Sequence, residues 1–303
     1  MTAATMTRAE ELGMTVTLWQ PTIGAEISGI DLRRDIDDEV RDAVKELLLQ
    51  YKVLFFRDQD IDHRQQARFA ARFGNLYIHP ISRSDHPETP AVHRVALDDY
   101  VIPAEYRDRA HRVDGDPAAT KPTSGSSRPS WDGYHTDTSW RLIPAWGAVL
   151  RAVTLPPVGG DTIWVDANLA YESLEQPMKD RLKRAYVAHD FRFALNAAGF
   201  MYPLVAHPVV RTHRETGRKI LWVNYSHNPS IIGRDRAESN EILNRISDAY
   251  RKPEYQVRFS WRPNSVAFWD NRSTVHYGVT NYGDQPRLLE RVLIDDDRTL
   301  ADL

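Results

Sequence analysis

Three side chains that suit one divalent metal stand far apart in this chain: His135 and Asp137 in His135-Thr136-Asp137, and His276 in the frame Trp269-Asp270-Asn271-Arg272-Ser273-Thr274-Val275-His276. If they share an ion, the segment between residues 135 and 276 must close on itself as one unit, and that requirement narrows the fold more than any other feature. Two imidazoles and one carboxylate make a three-ligand face that suits divalent iron and leaves positions open for a co-substrate and oxygen.

The triplet alone is a weak signal. With 11 His and 42 acidic residues, chance supplies about one or two His-x-acid triplets, and three occur. His86-Pro87-Glu88 falls in a polar stretch rich in turn residues, and His213-Arg214-Glu215 runs into Thr216-Gly217, which reads as a hairpin tip. Only His135-Thr136-Asp137 opens a long, ordered-looking segment. Residues two apart in an extended strand point to one side, so both ligands can reach one ion. Standing alone, His135 also fits a polar residue at a strand end, and Asp137 a turn or cap.

The surroundings supply strands. Ala148-Val149-Leu150-Arg151-Ala152-Val153 suits a buried strand and is followed by Pro156-Pro157, the turn Gly159-Gly160-Asp161-Thr162 and a second run, Ile163-Trp164-Val165. Further on, Ser265-Val266-Ala267-Phe268-Trp269 leads through a turn to Thr274-Val275-His276-Tyr277. After Asn281-Tyr282-Gly283-Asp284 comes Arg287-Leu288-Leu289-Glu290-Arg291-Val292-Leu293-Ile294, which predicts Arg287 and Arg291 on one strand face, two pleats apart. In the first part of the chain, Val53-Leu54-Phe55-Phe56 predicts a strand, and helical apolar spacing predicts a helix from about Asp38 to Tyr51.

These blocks resemble the taurine dioxygenase (TauD/TfdA) family of non-haem iron, 2-oxoglutarate-dependent dioxygenases. The likeness rests on Gly24-Ala25-Glu26-Ile27-Ser28-Gly29-Ile30-Asp31-Leu32, Tyr134-His135-Thr136-Asp137, Gly159-Gly160-Asp161-Thr162, and Trp269-Asp270-Asn271 through His276 to Arg287 and Arg291. Phe73-Gly74 and His207-Pro208-Val209-Val210 add to it, so that the blocks span nearly the whole chain in family order.

The resemblance implies a fold, a chemistry and a site. The fold is α+β with an all-β core: a double-stranded β-helix, or distorted jelly roll, flanked by helices, in one domain over residues 1–303. His135, Asp137 and His276 would ligate Fe(II). Thr162 and Arg287, the latter eleven residues after His276, would bind the 2-oxoglutarate co-substrate, with O2 as the second co-substrate. A planar guanidinium suits a carboxylate because it makes two parallel charge-assisted hydrogen bonds. Outside the resemblance, Arg287 also reads as a surface strand arginine, and Thr162 as ordinary turn chemistry. The retained carboxylate at Asp137 points to hydroxylation, or to cleavage after hydroxylation, with release of succinate and CO2.

Substrate positions are less determined. Arg291 is open to contact with a substrate anion, support of the co-substrate, or a plain ion pair. His79 matches a position that often faces substrate, yet a structural hydrogen-bonding role fits equally. Two departures count against taurine: Trp131 stands where taurine-binding members carry asparagine, and Ser82 where they carry tyrosine. Trp131 could pack a larger, more apolar substrate or belong to the core, as could Trp140 and Trp146. Residues 82–133, rich in Asp, Arg, Pro and Ser, form a long insertion that reads as a substrate-covering lid, with a solvated excursion as the alternative.

Composition sets outer bounds. Net charge is −3 with no basic block, which argues against nucleic acid. No apolar run approaches the roughly 18 residues of a membrane span, and Met1–Glu11 has no apolar secretory core. With no cysteine, disulfides and thiolate ligands are excluded and the cytoplasm is the expected compartment. The expected partner is a small anionic or amphoteric molecule; family members commonly form dimers or tetramers. Two other classes remain, a zinc hydrolase using the same three ligands and a metal-binding sensor on the same barrel.

Overall fold

The computed structural model describes residues 2–96 and 133–297; Trp131 and most of the expected lid lie outside the described residues. Numbering strands along the chain, an eight-stranded sheet contains in spatial order β1 (Thr15–Leu18), β2 (Ala25–Ser28), β3 (Val53–Phe56), β14 (Val266–Asp270), β6 (Gly147–Thr154), β16 (Leu288–Ile294) and β4 (Leu76–Tyr77), with β5 (Val92–Val95) also pairing β16. Facing it is a three-stranded sheet of β13 (Gln256–Phe259), β7 (Thr162–Asp166) and β15 (Thr274–Gly278). The two sheets form the expected distorted double-stranded β-helix and do not close into a barrel. Smaller sheets join β8 (Tyr186–His189), β9 (Val205–Pro208) and β12 (Ser230–Ile231), and β10 (Val210–Thr212) with β11 (Lys219–Leu221). The last pair is the hairpin whose tip begins at His213.

Burial on both faces explains the continuous apolar runs. In β3, Leu54 and Phe56 join Val149, Phe268 and Ile294 on the outer face, under α1 (Thr2–Glu11), α2 (Asp38–Tyr51) and α3 (His63–Ala71). Val53 and Phe55 turn inward with Ala148, Ala267, Trp269 and Leu293, and meet Trp164, Val257 and Phe259 of the smaller sheet. Phe55 and Phe259 stack across that boundary, with centroids 4.1 Å apart. The smaller sheet's other face, through Val165 and Val275, packs on Leu243 and Ile246 of the helix Arg236–Tyr250. Helices thus cover both outer sides of the paired sheets.

Helix α2 matches the sequence reading. Asp37 caps it by accepting from the Val40 N–H, Asp38 and Glu39 sit in its first turn, and Ala43, Val44, Leu47, Leu48 and Tyr51 form its buried stripe. It stops at Lys52, whose backbone is left-handed at φ 66°. The Lys52 ammonium lies 3.1 Å from the buried Asp166 carboxylate, tying α2 to the end of β7.

Two local expectations change. Strand β16 begins at Leu288 and shifts register against β6 between Leu288 and Leu289, so Arg287 precedes the strand and does not share one regular face with Arg291. Within residues 82–96, Val92–Val95 is a core strand hydrogen-bonded to β16, because the sheet edge there offers unpaired backbone groups.

Candidate active site

The site is built on one backbone bridge. His135 and His276 pair antiparallel, with N···O distances of 2.9 and 2.7 Å, and this sets their rings 4.1 Å apart, centroid to centroid. Only this bridge, and not a regular strand, presents His135. The chain turns after Asp137, with Thr138 left-handed at φ 54°, and the turn aims the carboxylate back at both rings. Asp137 Oδ1 lies 4.0 Å from His135 Nε2, and Oδ2 lies 3.9 Å from His276 Nε2.

These residues fit a divalent metal. One donor atom from each lies within 4.8 Å of the others. The His135 Nδ1–H donates to the Gly133 carbonyl at 2.8 Å, which leaves the Nε2 lone pair facing Asp137. Desolvation lowers the pKa of both imidazoles, and His276 lies well below its ordinary value, so both are neutral donors at neutral pH. Asp137 Oδ2 is buried without a hydrogen-bond partner, which is costly unless a cation occupies the space it faces. The group of His63, His86 and Glu88 meets the same distance criterion elsewhere.

Two asparagines fix the triplet. Asn271 Oδ1 accepts from the Asp137 N–H at 2.8 Å and from the Thr136 hydroxyl at 3.0 Å, while its amide donates to the carbonyls of Asp137 (3.0 Å) and Ala145 (2.8 Å). The Asn224 amide donates to the Thr136 carbonyl at 2.9 Å. Both are fully buried, so each side chain stands in for a neighbouring strand.

The arginines divide. Arg291 is buried and donates from NH1 to Asp137 Oδ1 and from Nε to His93 Nε2 at 3.0 Å. Arg287 donates from Nε to the Gly160 carbonyl at 3.0 Å, with burial lowering its pKa from the usual arginine value. Gly160 is required for this approach: its φ is +73°, and a Cβ there would stand 2.9 Å from both Cδ and Nε of Arg287. Two residues on, Thr162 is buried and its hydroxyl accepts from the Trp261 indole at 3.0 Å.

His79 lies on the Arg291 side. Its Nδ1 accepts from the N–H groups of Ile81 (3.3 Å) and Ser82 (3.1 Å), placing the proton on Nε2. Burial, reinforced by Arg291, lowers its pKa to about 4. Its ring centroid is 5.9 Å from those of His93 and Trp140. Trp140 in turn meets Phe191 at 5.8 Å and Tyr202 at 4.8 Å, and Phe191 meets His227 at 4.4 Å. Trp146 is core, beneath Lys45.

Residues 15–293 match the family described as "Taurine catabolism dioxygenase TauD, TfdA family". The chain belongs to this family. It is an iron- and 2-oxoglutarate-dependent dioxygenase, which removes the hydrolase and sensor readings. Among TauD/TfdA relatives, the alkylsulfatase of Acinetobacter baylyi is 30% identical over 91% of this chain and 83% of its own. The α-ketoglutarate-dependent 2,4-dichlorophenoxyacetate dioxygenase of a Burkholderia species is 33% identical over 79% and 80%. A solved taurine dioxygenase from Burkholderia xenovorans superposes with a TM-score of 0.76 at 33% identity, covering 94% of this chain and 90% of that one.

The structure brings His135, Asp137, His276, Arg291 and His79 to one place, and sets Arg287 on the carbonyl of Gly160, two residues before Thr162 in the chain. Sequence reasoning missed His93 and His227, and gave Asn271 and Asn224 no role. Val92-His93-Arg94-Val95 carries no motif, and Asn271 reads as a turn residue between two strands.

Proposed function

We propose that the enzyme oxidises a small organic anion with an apolar body, of the alkyl sulfate ester or aryloxyalkanoate kind, rather than taurine. In this reading His135, Asp137 and His276 hold Fe(II), and Arg287 with Thr162 receives the distal carboxylate of 2-oxoglutarate. Fe(II) held there would activate O2, the oxidant, so that 2-oxoglutarate would become succinate and CO2 and a substrate C–H would become C–OH.

The observation that carries the substrate class is the pairing of two anion donors with an aromatic wall. Arg291 has guanidinium N–H groups left after Asp137 and His93 are served, and His79 holds Nε2–H ready to donate. The wall of Trp140, Phe191 and Tyr202 lies beside His79 and suits an apolar chain or ring. Ser82, in place of a tyrosine, gives a short aminosulfonate less to bind. The names of the relatives, alkylsulfatase and phenoxyacetate dioxygenase, support the same class. A net charge of −3 and a sequence without a basic block fit a small-molecule partner, and a cysteine-free chain fits the cytoplasm; among the described residues no helix is long and apolar enough to cross a membrane.

The test is succinate release with alkyl sulfates, aryloxyalkanoates and taurine, alongside anaerobic titration of the Fe(II) protein with 2-oxoglutarate. The chelate's visible charge-transfer band is expected in the wild type, and Arg287→Ala should need about tenfold or more co-substrate to reach it. Fastest turnover with taurine would refute the substrate class; an unchanged titration in Arg287→Ala would refute that residue's role.

A further inference from the structure

A second histidine–carboxylate cluster lies outside the active site. His63, at the start of α3, stacks face to face on His86, with centroids 3.7 Å apart and planes 7° apart. Glu88 joins them, its Oε1 3.5 Å from His63 Nε2, and one donor atom from each residue lies within 4.8 Å of the others.

What separates this group from scattered surface histidines is how the far ring nitrogens are held. His86 Nε2 lies 2.8 Å from Glu290 Oε1, a carboxylate that is buried and whose other oxygen is bound by Arg151 at 2.7 and 3.0 Å. A carboxylate so fixed accepts only, so the His86 proton sits on Nε2 and Nδ1 keeps its lone pair. His63 Nδ1 is engaged by the Thr89 hydroxyl at 2.8 Å, which leaves Nε2 towards Glu88. For His86 this is the usual orientation of a metal-binding imidazole, with an acceptor on the nitrogen that does not ligate.

We propose that His63, His86 and Glu88 form a second divalent-metal site, distinct from the iron centre and suited to Zn(II), with water completing the coordination. Two imidazoles and one carboxylate match the ligand types zinc prefers. Binding requires two adjustments. One ring must turn out of the parallel stack, since a metal lies in the plane of each imidazole it binds, and Arg64 must release Glu88 Oε1, which it contacts at 3.3 Å. All three side chains and Arg64 retain solvent exposure, so both movements are open to them. A bound ion would staple α3 to the segment ahead of β5 and, through Glu290, to the strand that carries Arg291.

The experiment counts Zn(II) bound by the metal-free full-length protein, by competition with a chromophoric chelator. Wild type is expected to take two equivalents. His135→Ala/His276→Ala should lose one, and His63→Ala/His86→Ala should lose the other while keeping the Fe(II)–2-oxoglutarate band, which shows that the iron centre is intact. Glu88→Gln should weaken the second equivalent about tenfold or more. A single equivalent in wild type, or a second one that survives His63→Ala/His86→Ala, would overturn the assignment.

Discussion

At the scale of single residues, the geometry of His135, Asp137 and His276 depends on side chains outside the three. Asn271 hydrogen-bonds both backbone groups of Asp137, so Asn271→Ala should lower Fe(II) affinity by about 10- to 100-fold, read by anaerobic metal titration; unchanged affinity would remove its positioning role. His79 makes a pH prediction. Its pKa is lowered from 6.5 to about 4, so the unfolded chain binds its proton first and stability falls as pH drops from about 6.5 to about 4, then levels. That contribution is roughly 3 kcal/mol, and His79→Gln should flatten the acid limb of urea unfolding midpoints measured between pH 7 and 4. The candidate ligands could be picked out in the sequence because metal chemistry restricts residue type and because His276 precedes Arg287 by a family spacing. Their supports were not, since an asparagine that braces a loop looks the same in sequence as one that makes a turn.

At the scale of elements, α2 and the buried strands could be read directly, because helical periodicity and short β-branched or aromatic runs are local signals. Strand β5 could not. Val92-His93-Arg94-Val95 is short and half polar, and only the available edge of β16 makes it a strand. The same limit explains Arg287: pleat counting assumes an unbroken strand, and the register shift at Leu288 breaks it. The Gly159-Gly160 turn supports a sharper prediction. In Gly160→Ala the new methyl strikes the Arg287 side chain, and a left-handed backbone is demanded of an L-residue. The apparent Kd for 2-oxoglutarate should rise about tenfold, with a stability loss of only about 1 kcal/mol, measured by titration and urea unfolding; equal co-substrate affinity would show that the turn can shift without moving the arginine.

At the scale of the whole molecule, the family likeness implied facing sheets and the ligand positions implied closure of the second half, but the order of layers came from long-range pairings that no window of sequence contains. A metal held by His135, Asp137 and His276, as proposed, belongs to this scale because it would join β15 to the segment before β6. Fe(II) under anaerobic conditions should therefore raise the thermal midpoint by several degrees, about 2.7 kcal/mol at a hundredfold excess over Kd. Asp137→Ala should abolish most of that gain; an equal gain in the variant would place the stabilising ion elsewhere. The backbone bridge between His135 and His276 carries one more consequence, for the order of events during synthesis. Long-range closures form late, and a nascent chain that has not yet released residue 276 from the ribosome holds an imidazole and a carboxylate but no complete cage. Redox-active iron would then be captured only after the surrounding sheets exist to shield the polypeptide from the oxidant it will generate.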